Sequence, residues 1–252
     1  MAAAQQSPGP MTTDRPDQTE SSVTVPRGFV QLELGIGFTR DAEGEGTVEF
    51  FEAPPSLLRV GILQRIEGRL GFAGWQRVDL DGPGGAESVS GLGDLEVGVK
   101  VQLLEERGSA PGTAFILSST LPTGREGIGS ERADPSFLGS FSHTLSPRAA
   151  LGYNAGVRWN TRRASSGDTE TAIDALYSLV LGLGLAERVG AFIEAFGTIG
   201  LKDEPSDQLS VDGGFTILAR DNLQLDVSGG AGLTAAADDW FVALGASLRV
   251  PR

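Results

Sequence analysis

Charged side chains recur at alternate positions within segments of this sequence that are otherwise apolar. In the stretch 94–103, for example, Asp94, Glu96 and Lys100 alternate with leucine and valine. Successive side chains of a β-strand point to opposite faces, so these charges share one face and the apolar residues share the other. Thirteen charged residues are predicted to face the interior of a barrel in this way: Glu33, Arg59, Glu67, Arg69, Asp94, Glu96, Lys100, Arg158, Asp174, Glu194, Asp212, Asp226 and Arg249.

Ion pairing and polar binding are the chemistry that this set offers, because eight of its members are acidic and five are basic. Each charge needs a partner or water once it leaves bulk solvent. We interpret the set as the lining of a lumen with a mild preference for cations. Phe192, Phe196 and Phe241 fall on the same face and are candidates for contact with a hydrophobic solute.

Catalysis is not predicted. The single histidine, His143, has Ser140, Ser142 and Ser146 near it, but neighbours on one strand largely point in different directions. The sequence has no nucleophile elbow, phosphate-binding loop or zinc-protease motif. It also has no cysteine, which excludes a thiolate metal site. We expect neither enzyme activity nor a cofactor, and no metal site.

Composition limits the partners and the location. The 252 residues include 33 acidic and 20 basic side chains, giving a net charge of −13. This balance argues against a nucleic-acid partner, which favours basic surfaces. No apolar stretch reaches the roughly 20 residues of a membrane-spanning helix. The first residues show no signal peptide as given, and we expect a mature chain whose signal has been removed.

The elements that position the charges are predicted from the alternation, which recurs twelve times. Short connections and longer polar ones follow each other in strict order, as in outer-membrane barrels with short periplasmic turns and longer outer loops. The predicted strands are 28–40, 47–63, 66–78, 91–104, 111–121, 134–145, 149–160, 170–185, 189–200, 208–220, 222–234 and 240–250.

A soluble β-sandwich that acts as a binding module would also show alternating strands. Glycine is frequent on the polar face, however, and the strands are longer than the usual five or six residues. We therefore predict an all-β fold, a transmembrane up-and-down antiparallel β-barrel of about twelve strands over residues 28–252. Residues 1–27 form a polar periplasmic lead-in. It is either a plug, with Asp14, Arg15 and Asp17 meeting lumen charges, or a disordered tail.

Several stretches resemble one bacterial family. They are TDRPDQTES (13–21) with VPRG (25–28), LLRVGILQRIEGRLGF (57–72), GLGDLEVGVKVQLLEE (91–106), LPTGREG (121–127) with DPSF (134–137), and LQLDVSGGAGLTAAADDWFVALGASLR (223–249). In order and spacing, they resemble the outer-membrane transporter family of the MetA pathway of phenol degradation. The resemblance implies a twelve-stranded outer-membrane barrel that imports small, often hydrophobic or aromatic compounds. The ending SLRVPR departs from the terminal aromatic residue that is usual in such barrels.

The sequence thus predicts a porin-like channel of the Gram-negative outer membrane for passive uptake of small, hydrophobic or aromatic molecules. Its partners are outer-membrane lipid and a small-molecule solute, and its oligomeric state is not predicted. One alternative is a structural or interaction barrel with a closed lumen. The other is the soluble β-sandwich binding module.

Overall fold

The computed structural model describes residues 9–43, 46–163, 169–202 and 207–252. Within these ranges no helix is long and apolar enough to span a bilayer. The regular elements are β1 (Phe29–Glu43), β2 (Gly46–Ala53), β3 (Ser56–Leu63), β4 (Ile66–Phe72), β5 (Trp75–Gly82), β6 (Gly85–Leu92), β7 (Leu95–Leu104), β8 (Gly112–Leu121), β9 (Asp134–Ser146), β10 (Ala149–Arg163), β11 (Thr169–Ala186), β12 (Val189–Gly200), β13 (Gln208–Arg220), β14 (Leu223–Gly232) and β15 (Trp240–Pro251).

Twelve of these strands form one closed antiparallel ring, which confirms the predicted barrel. The ring closes where β1 pairs with β15, from Phe29 opposite Pro251 to Arg40 opposite Trp240. Closure leaves no free edge among these strands, so their backbone groups are bonded within the wall, as a membrane span requires. The ring order is β1, β3, β4, β7, β8, β9, β10, β11, β12, β13, β14 and β15.

The remaining strands, β2, β5 and β6, extend the wall beyond the ring at the end of the longer connections. They pair in the order β1–β2–β5–β6. The predicted strands 66–78 and 91–104 left residues 79–90 as one of the longer connections. That prediction was wrong, because residues 75–92 form the β5–β6 hairpin with its turn between Gly82 and Gly85. A strand outside the ring needs no continuous apolar face, so the alternation that identified the other strands is weak here.

Burial in the barrel is the inverse of burial in a soluble protein. Ile193 on β12 is 61% exposed, and many other leucines, valines and isoleucines of the wall are exposed as well. Gln31, Glu33 and Arg59 are fully buried inside the ring. An apolar outer face without a second layer of protein is the surface that hydrocarbon tails cover. The soluble β-sandwich is therefore excluded, and the chain is an outer-membrane β-barrel.

Of the predicted lead-in, residues 1–8 lie outside the described residues, and residues 9–27 run without regular secondary structure inside the ring. We call residues 9–27 the lead-in from here on. Asp14, Thr19, Ser22 and Val25 are among its buried residues. Its side chains and backbone contact strands on all sides, from Glu33 on β1 to residues of β4, β7, β10 and β12. A polar segment suits this position because the surrounding wall residues are themselves polar and charged.

Candidate functional site

The most heavily charged part of the lumen surrounds Asp14 of the lead-in. Its Oδ2 lies 3.1 Å from Arg59 Nη1, 2.7 Å from Arg69 Nη1 and 2.8 Å from Lys100 Nζ. These side chains come from β3, β4 and β7, where alternate residues point inward. Burial alone would raise the pKa of Asp14, but the charges of Arg59, Lys100 and Arg69 outweigh burial and hold its pKa well below the ordinary value.

Glu20, further along the lead-in, pairs with two of the same cations, Arg69 and Lys100. Its Oε1 lies 2.6 Å from Arg69 Nη2, and its Oε2 lies 3.2 Å from Lys100 Nζ. Its backbone N–H donates to Asn154 Oδ1 at 2.7 Å, and the Ser140 hydroxyl donates to its carbonyl at 2.5 Å. Burial raises the pKa of Glu20 to about 7, with the Arg69 charge opposing and the Asp14 charge assisting.

Two wall carboxylates complete this cluster. Glu33 Oε1 accepts from Arg59 Nη1 at 3.0 Å, and Glu67 Oε1 accepts from Arg59 Nε at 2.9 Å. Glu67 also accepts the backbone N–H of Val25 at 2.7 Å. Buried charges with such close partners are hard to separate, because each would be left uncompensated. We call the cluster the anchor; its members are Asp14, Glu20, Glu33, Arg59, Glu67, Arg69 and Lys100.

The opposite wall of the lumen is acidic. Glu194 of β12 and Asp212 of β13 are register partners, and both are buried. Glu194 accepts the backbone N–H of Gln18 at 2.7 Å and the hydroxyl of Thr19. Asp17 of the lead-in faces this pair; burial, and then the Glu194 charge, raise the pKa of Asp17 well above its ordinary value. Like charges therefore meet where residues 17–19 cross this wall.

Arg15 reaches a third part of the wall. Its Nη2 donates to the Leu244 carbonyl at 3.1 Å and lies 3.5 Å from Asp226 Oδ1. Gly35 and Gly245 leave room for the guanidinium. A Cβ on Gly35 would come within 2.5 Å of Arg15 Nη1, and one on Gly245 within 2.6 Å of Arg15 Nε. A side chain at either position would therefore displace the guanidinium from its present place.

Cavities remain on both sides of the lead-in. The turn-side cavity, about 450 Å³, lies next to the short connections and includes Phe192, Val180 and Leu183 in its lining. The loop-side cavity, about 270 Å³, lies next to the longer connections and includes Phe196 and Phe241. These two rings meet edge to face with centroids 6.0 Å apart. All three predicted aromatic candidates therefore line open space within the barrel.

Two further predicted lumen residues, Asp94 and Arg249, bond to backbone groups outside the strands. Asp94 lies between β6 and β7 and accepts the N–H groups of Thr123, Gly124 and Ser130 at 2.9, 2.6 and 2.6 Å, which holds the 122–130 loop. Arg249 donates to the carbonyls of Pro10 and Gly9 at 3.1 and 2.7 Å.

Three others lie towards the longer connections. Asp174 is buried, and its Oδ2 lies 3.5 Å from Arg158 Nη2, which is partly exposed beside a third cavity of about 300 Å³. Glu96 is half-buried opposite Gly71 of β4. The thirteen residues thus divide between the anchor, the acidic wall, the Arg15 contact, the Asp94 contact with the 122–130 loop, the Arg249 contact with Gly9 and Pro10, and these outer positions.

His143 and the serines near it do not form a catalytic group. The His143 ring stacks on Tyr153, and its Nε2 lies 3.3 Å from the Tyr153 hydroxyl. Ser142 is bonded instead to Ser22 of the lead-in, with their Oγ atoms 2.6 Å apart. Within the described ranges, no group of three or more histidine, cysteine, aspartate or glutamate residues could hold a metal ion.

Sequence reasoning missed the uncharged polar residues that bind the lead-in. Gln31 donates to the Thr12 carbonyl at 2.8 Å, and Ser178 and Thr19 share a hydrogen bond of 2.7 Å. Asn154 and Ser140 hold Glu20. These residues occupy the same alternate positions as the charges, so the signal was present. Nothing in the strand pattern itself shows, however, that they face a peptide and not water.

The comparisons with known proteins agree with this architecture. A family described as "Putative MetA-pathway of phenol degradation" matches residues 13–250. The COG4313 outer membrane channel from Pseudomonas putida F1 is similar in structure, with TM-score 0.69 and 13% identity over 90% of this chain and 97% of that one. The translocator domain of autotransporter NalP from Neisseria meningitidis gives TM-score 0.59 and 12% identity over 88% and 87%.

The NanC porin gives TM-score 0.57 and 7% identity over 87% of this chain and 100% of its own. No curated protein matches the sequence. At these identities the structural similarities establish the fold.

Proposed function

The chain belongs to the family described as the MetA pathway of phenol degradation, and on that premise we propose that it is a channel for passive uptake of small hydrophobic or aromatic molecules. The similar structures include an outer-membrane channel and a porin, which supports a channel as the general class. The preference for hydrophobic or aromatic solutes is what the family resemblance implies, and the lining of the lumen supports it.

The observation that carries this proposal is the pair of cavities on either side of the lead-in. A twelve-stranded barrel is wider than the eight-stranded kind that side chains alone fill. The lead-in occupies part of that space, but about 450 Å³ and about 270 Å³ stay open on its two sides. Phe192, Phe196 and Phe241 give these spaces aromatic contact surfaces within a lumen that also carries many charged side chains. A small aromatic solute matches both their size and their lining.

The lead-in is proposed to restrict the passage to such small solutes. It is anchored to β3, β4 and β7 and crosses to β12, so it divides the lumen along most of its width. Large polar molecules would need the anchor to break, which is opposed by several buried ion pairs. Small solutes need only the space that remains beside the lead-in.

Proteoliposomes test the proposal directly. Phenyl glucoside, a neutral aromatic probe that crosses lipid slowly, should enter vesicles that contain the purified barrel faster than it enters protein-free vesicles. Removing residues 1–22 should increase single-channel conductance, because most of the lead-in leaves with them. The shift in gel mobility between boiled and unboiled samples checks that the shortened barrel is folded. Absence of uptake by both forms of a folded barrel would contradict the channel.

A barrel with a closed lumen that serves an interaction role is the second candidate. The density of bonds at the anchor favours it, since seven charged residues from the lead-in and four strands meet there. The two functions separate in the same assay. Uptake by the intact barrel supports the channel, whereas uptake only after residues 1–22 are removed supports the closed barrel.

A further inference from the structure

The two cavities adjoin at one place in the lumen. Arg15 and Pro16 are the only residues of the described chain that line both the turn-side and the loop-side cavity. The most direct route from one cavity to the other therefore passes these two residues. The inference that follows rests on the proposed channel function, because it concerns the route that the solute takes.

The contact that keeps Arg15 in this position is loose. The Asp226 side chain is 0% exposed, and within the described ranges neither of its oxygens has a hydrogen-bond partner. Arg15 Nε has none either, and the nearest approach of the two side chains is 3.5 Å. This distance exceeds the 2.7–2.9 Å of a strong charge-assisted hydrogen bond. The Arg15 side chain is also 22% exposed towards the cavities.

The neighbouring parts of the lead-in are held much more firmly. Asp14 lies in the anchor, where Arg69 is 3% exposed and 2.7 Å away. Gln18 and Thr19 are bonded to Glu194, and Thr19 also to Ser178. The backbone on both sides of Arg15 is thus fixed, while its side chain has one hydrogen bond and one long ion pair. Of the lead-in residues that separate the two cavities, Arg15 therefore has the side chain that moves most easily.

Displacing Arg15 exposes an uncompensated charge. The Asp226 carboxylate is buried, and a buried carboxylate without a counter-charge is strongly disfavoured. A solute with its own positive group can replace the guanidinium and keep this charge compensated, whereas a neutral or anionic solute cannot and therefore passes more slowly. The loop-side cavity suits such a cation, because Glu52 and Asp238 line it together with the Phe196 and Phe241 rings. Aromatic faces attract organic cations.

We propose that Arg15 and Asp226 form a charge-selective gate between the two cavities, which a small hydrophobic organic cation opens by replacing the Arg15 guanidinium at Asp226. The lead-in stays anchored while the Arg15 side chain swings aside. The ligand class is an ammonium group carried on an aromatic or aliphatic body. Asp226 is its counter-ion, and the phenyl rings of the loop-side cavity contact its apolar part.

Three aromatic probes test the gate in proteoliposomes. Phenyltrimethylammonium and benzenesulfonate are similar in size and opposite in charge, and phenyl glucoside is a larger neutral probe. The intact barrel should admit the cation about tenfold faster than the anion, given the strength of charge interactions in a partly desolvated site. Asp226→Asn keeps the shape of the side chain but removes its charge, and it should abolish this difference. Asp221→Asn, the same change in an exposed turn residue paired with Arg188, should preserve it.

The outcomes separate the gate from the channel. If phenyl glucoside enters but the cation and the anion enter equally fast, or if Asp226→Asn leaves the preference unchanged, the gate is wrong and the channel stands. If no probe enters through folded barrel, with or without residues 1–22, both proposals fail. Arg15→Ala provides a second variant: it should speed entry of all three probes, and an unchanged rate for each would overturn the gate.

Discussion

Asp14 of the lead-in and Lys100 of β7 are joined by hydrogen bonds of 3.0 and 2.8 Å across 86 residues of sequence. Both side chains are buried, and Arg59 and Arg69 share the same carboxylate. The lead-in therefore brings to the lumen a negative charge that the wall cations lack. This relationship explains why a polar segment before the first strand is part of the folded barrel.

Asp14→Asn should destabilise the barrel markedly. Three buried cations would lose a shared counter-charge, and removing one partner of a buried ion pair costs about 3–5 kcal/mol. The free energy of unfolding in urea, measured on detergent-solubilised protein, should fall by an amount in that range. Asp221→Asn removes an exposed partner of Arg188 and should leave the free energy nearly unchanged. Equal effects of the two substitutions would contradict the anchor.

The lead-in should be held most firmly at mildly acidic pH. Glu20 has its pKa raised from 4.5 to about 7, so its stabilising contribution is present at low pH and is lost as the pH rises through about 7. The raised pKa of Asp17 likewise makes the lead-in less stable as the pH rises. The lowered pKa of Asp14 acts oppositely, because its contribution is lost only when the pH falls well below the ordinary aspartate range.

Protease cleavage within the lead-in measures this effect. The cleavage rate should increase between about pH 4.5 and about pH 7, the interval between the ordinary and the raised pKa of Glu20, and should level off above it. Glu20→Gln cannot ionise and should flatten that increase. A cleavage rate that falls with rising pH, or an unchanged slope in Glu20→Gln, would show that another group controls the lead-in. The rate on a denatured sample corrects for the protease's own pH dependence.

Much of the fold was predictable from sequence because lipid outside and charge inside impose a two-residue period. Val97, Val99 and Val101 identify a strand without any information about its neighbours. The β5–β6 hairpin was missed because it lies outside the ring, where that constraint ends. The inward position of Asp14's partners was also predictable from the period. Their mutual contacts were not, since no local pattern specifies which of several inward charges meets a residue 86 positions away.

Gly61→Ala should disturb the seating of the lead-in. A Cβ on Gly61 would come within 2.6 Å of the Val25 carbonyl oxygen, and backbone at that distance has to shift. Overpacking of this kind costs roughly 1–3 kcal/mol. Gly182→Ala is the matched control, because the nearest atom to its Cβ is the Ala150 carbonyl oxygen at 3.9 Å. The urea midpoint should fall for the first variant only; equal midpoints would contradict the close approach.

Ile193 and Leu201 are almost equally exposed, but an arginine should reduce the free energy of unfolding more at Ile193. Ile193 lies in the middle of β12 and is 61% exposed, whereas Leu201 follows the end of that strand and is 60% exposed. Ile193→Arg should cost about 2–4 kcal/mol when folding is measured in phospholipid bilayers, and Leu201→Arg about 0–1 kcal/mol. Similar losses at both positions would place the hydrocarbon boundary elsewhere on the wall.

A covalent tether can show whether the lead-in stays in the barrel during transport. Ser22 of the lead-in and Ser142 of β9 have Oγ atoms 2.6 Å apart, and the chain contains no cysteine. The double variant Ser22→Cys with Ser142→Cys should therefore form a single disulfide that fixes the lead-in to the wall. Because the proposed gate needs only the Arg15 side chain to move, phenyltrimethylammonium uptake should be the same in oxidised and reduced samples. Loss of uptake on oxidation, with recovery on reduction, would mean that the whole lead-in leaves the lumen. Ser22→Cys alone, which cannot form the tether, controls for oxidation itself.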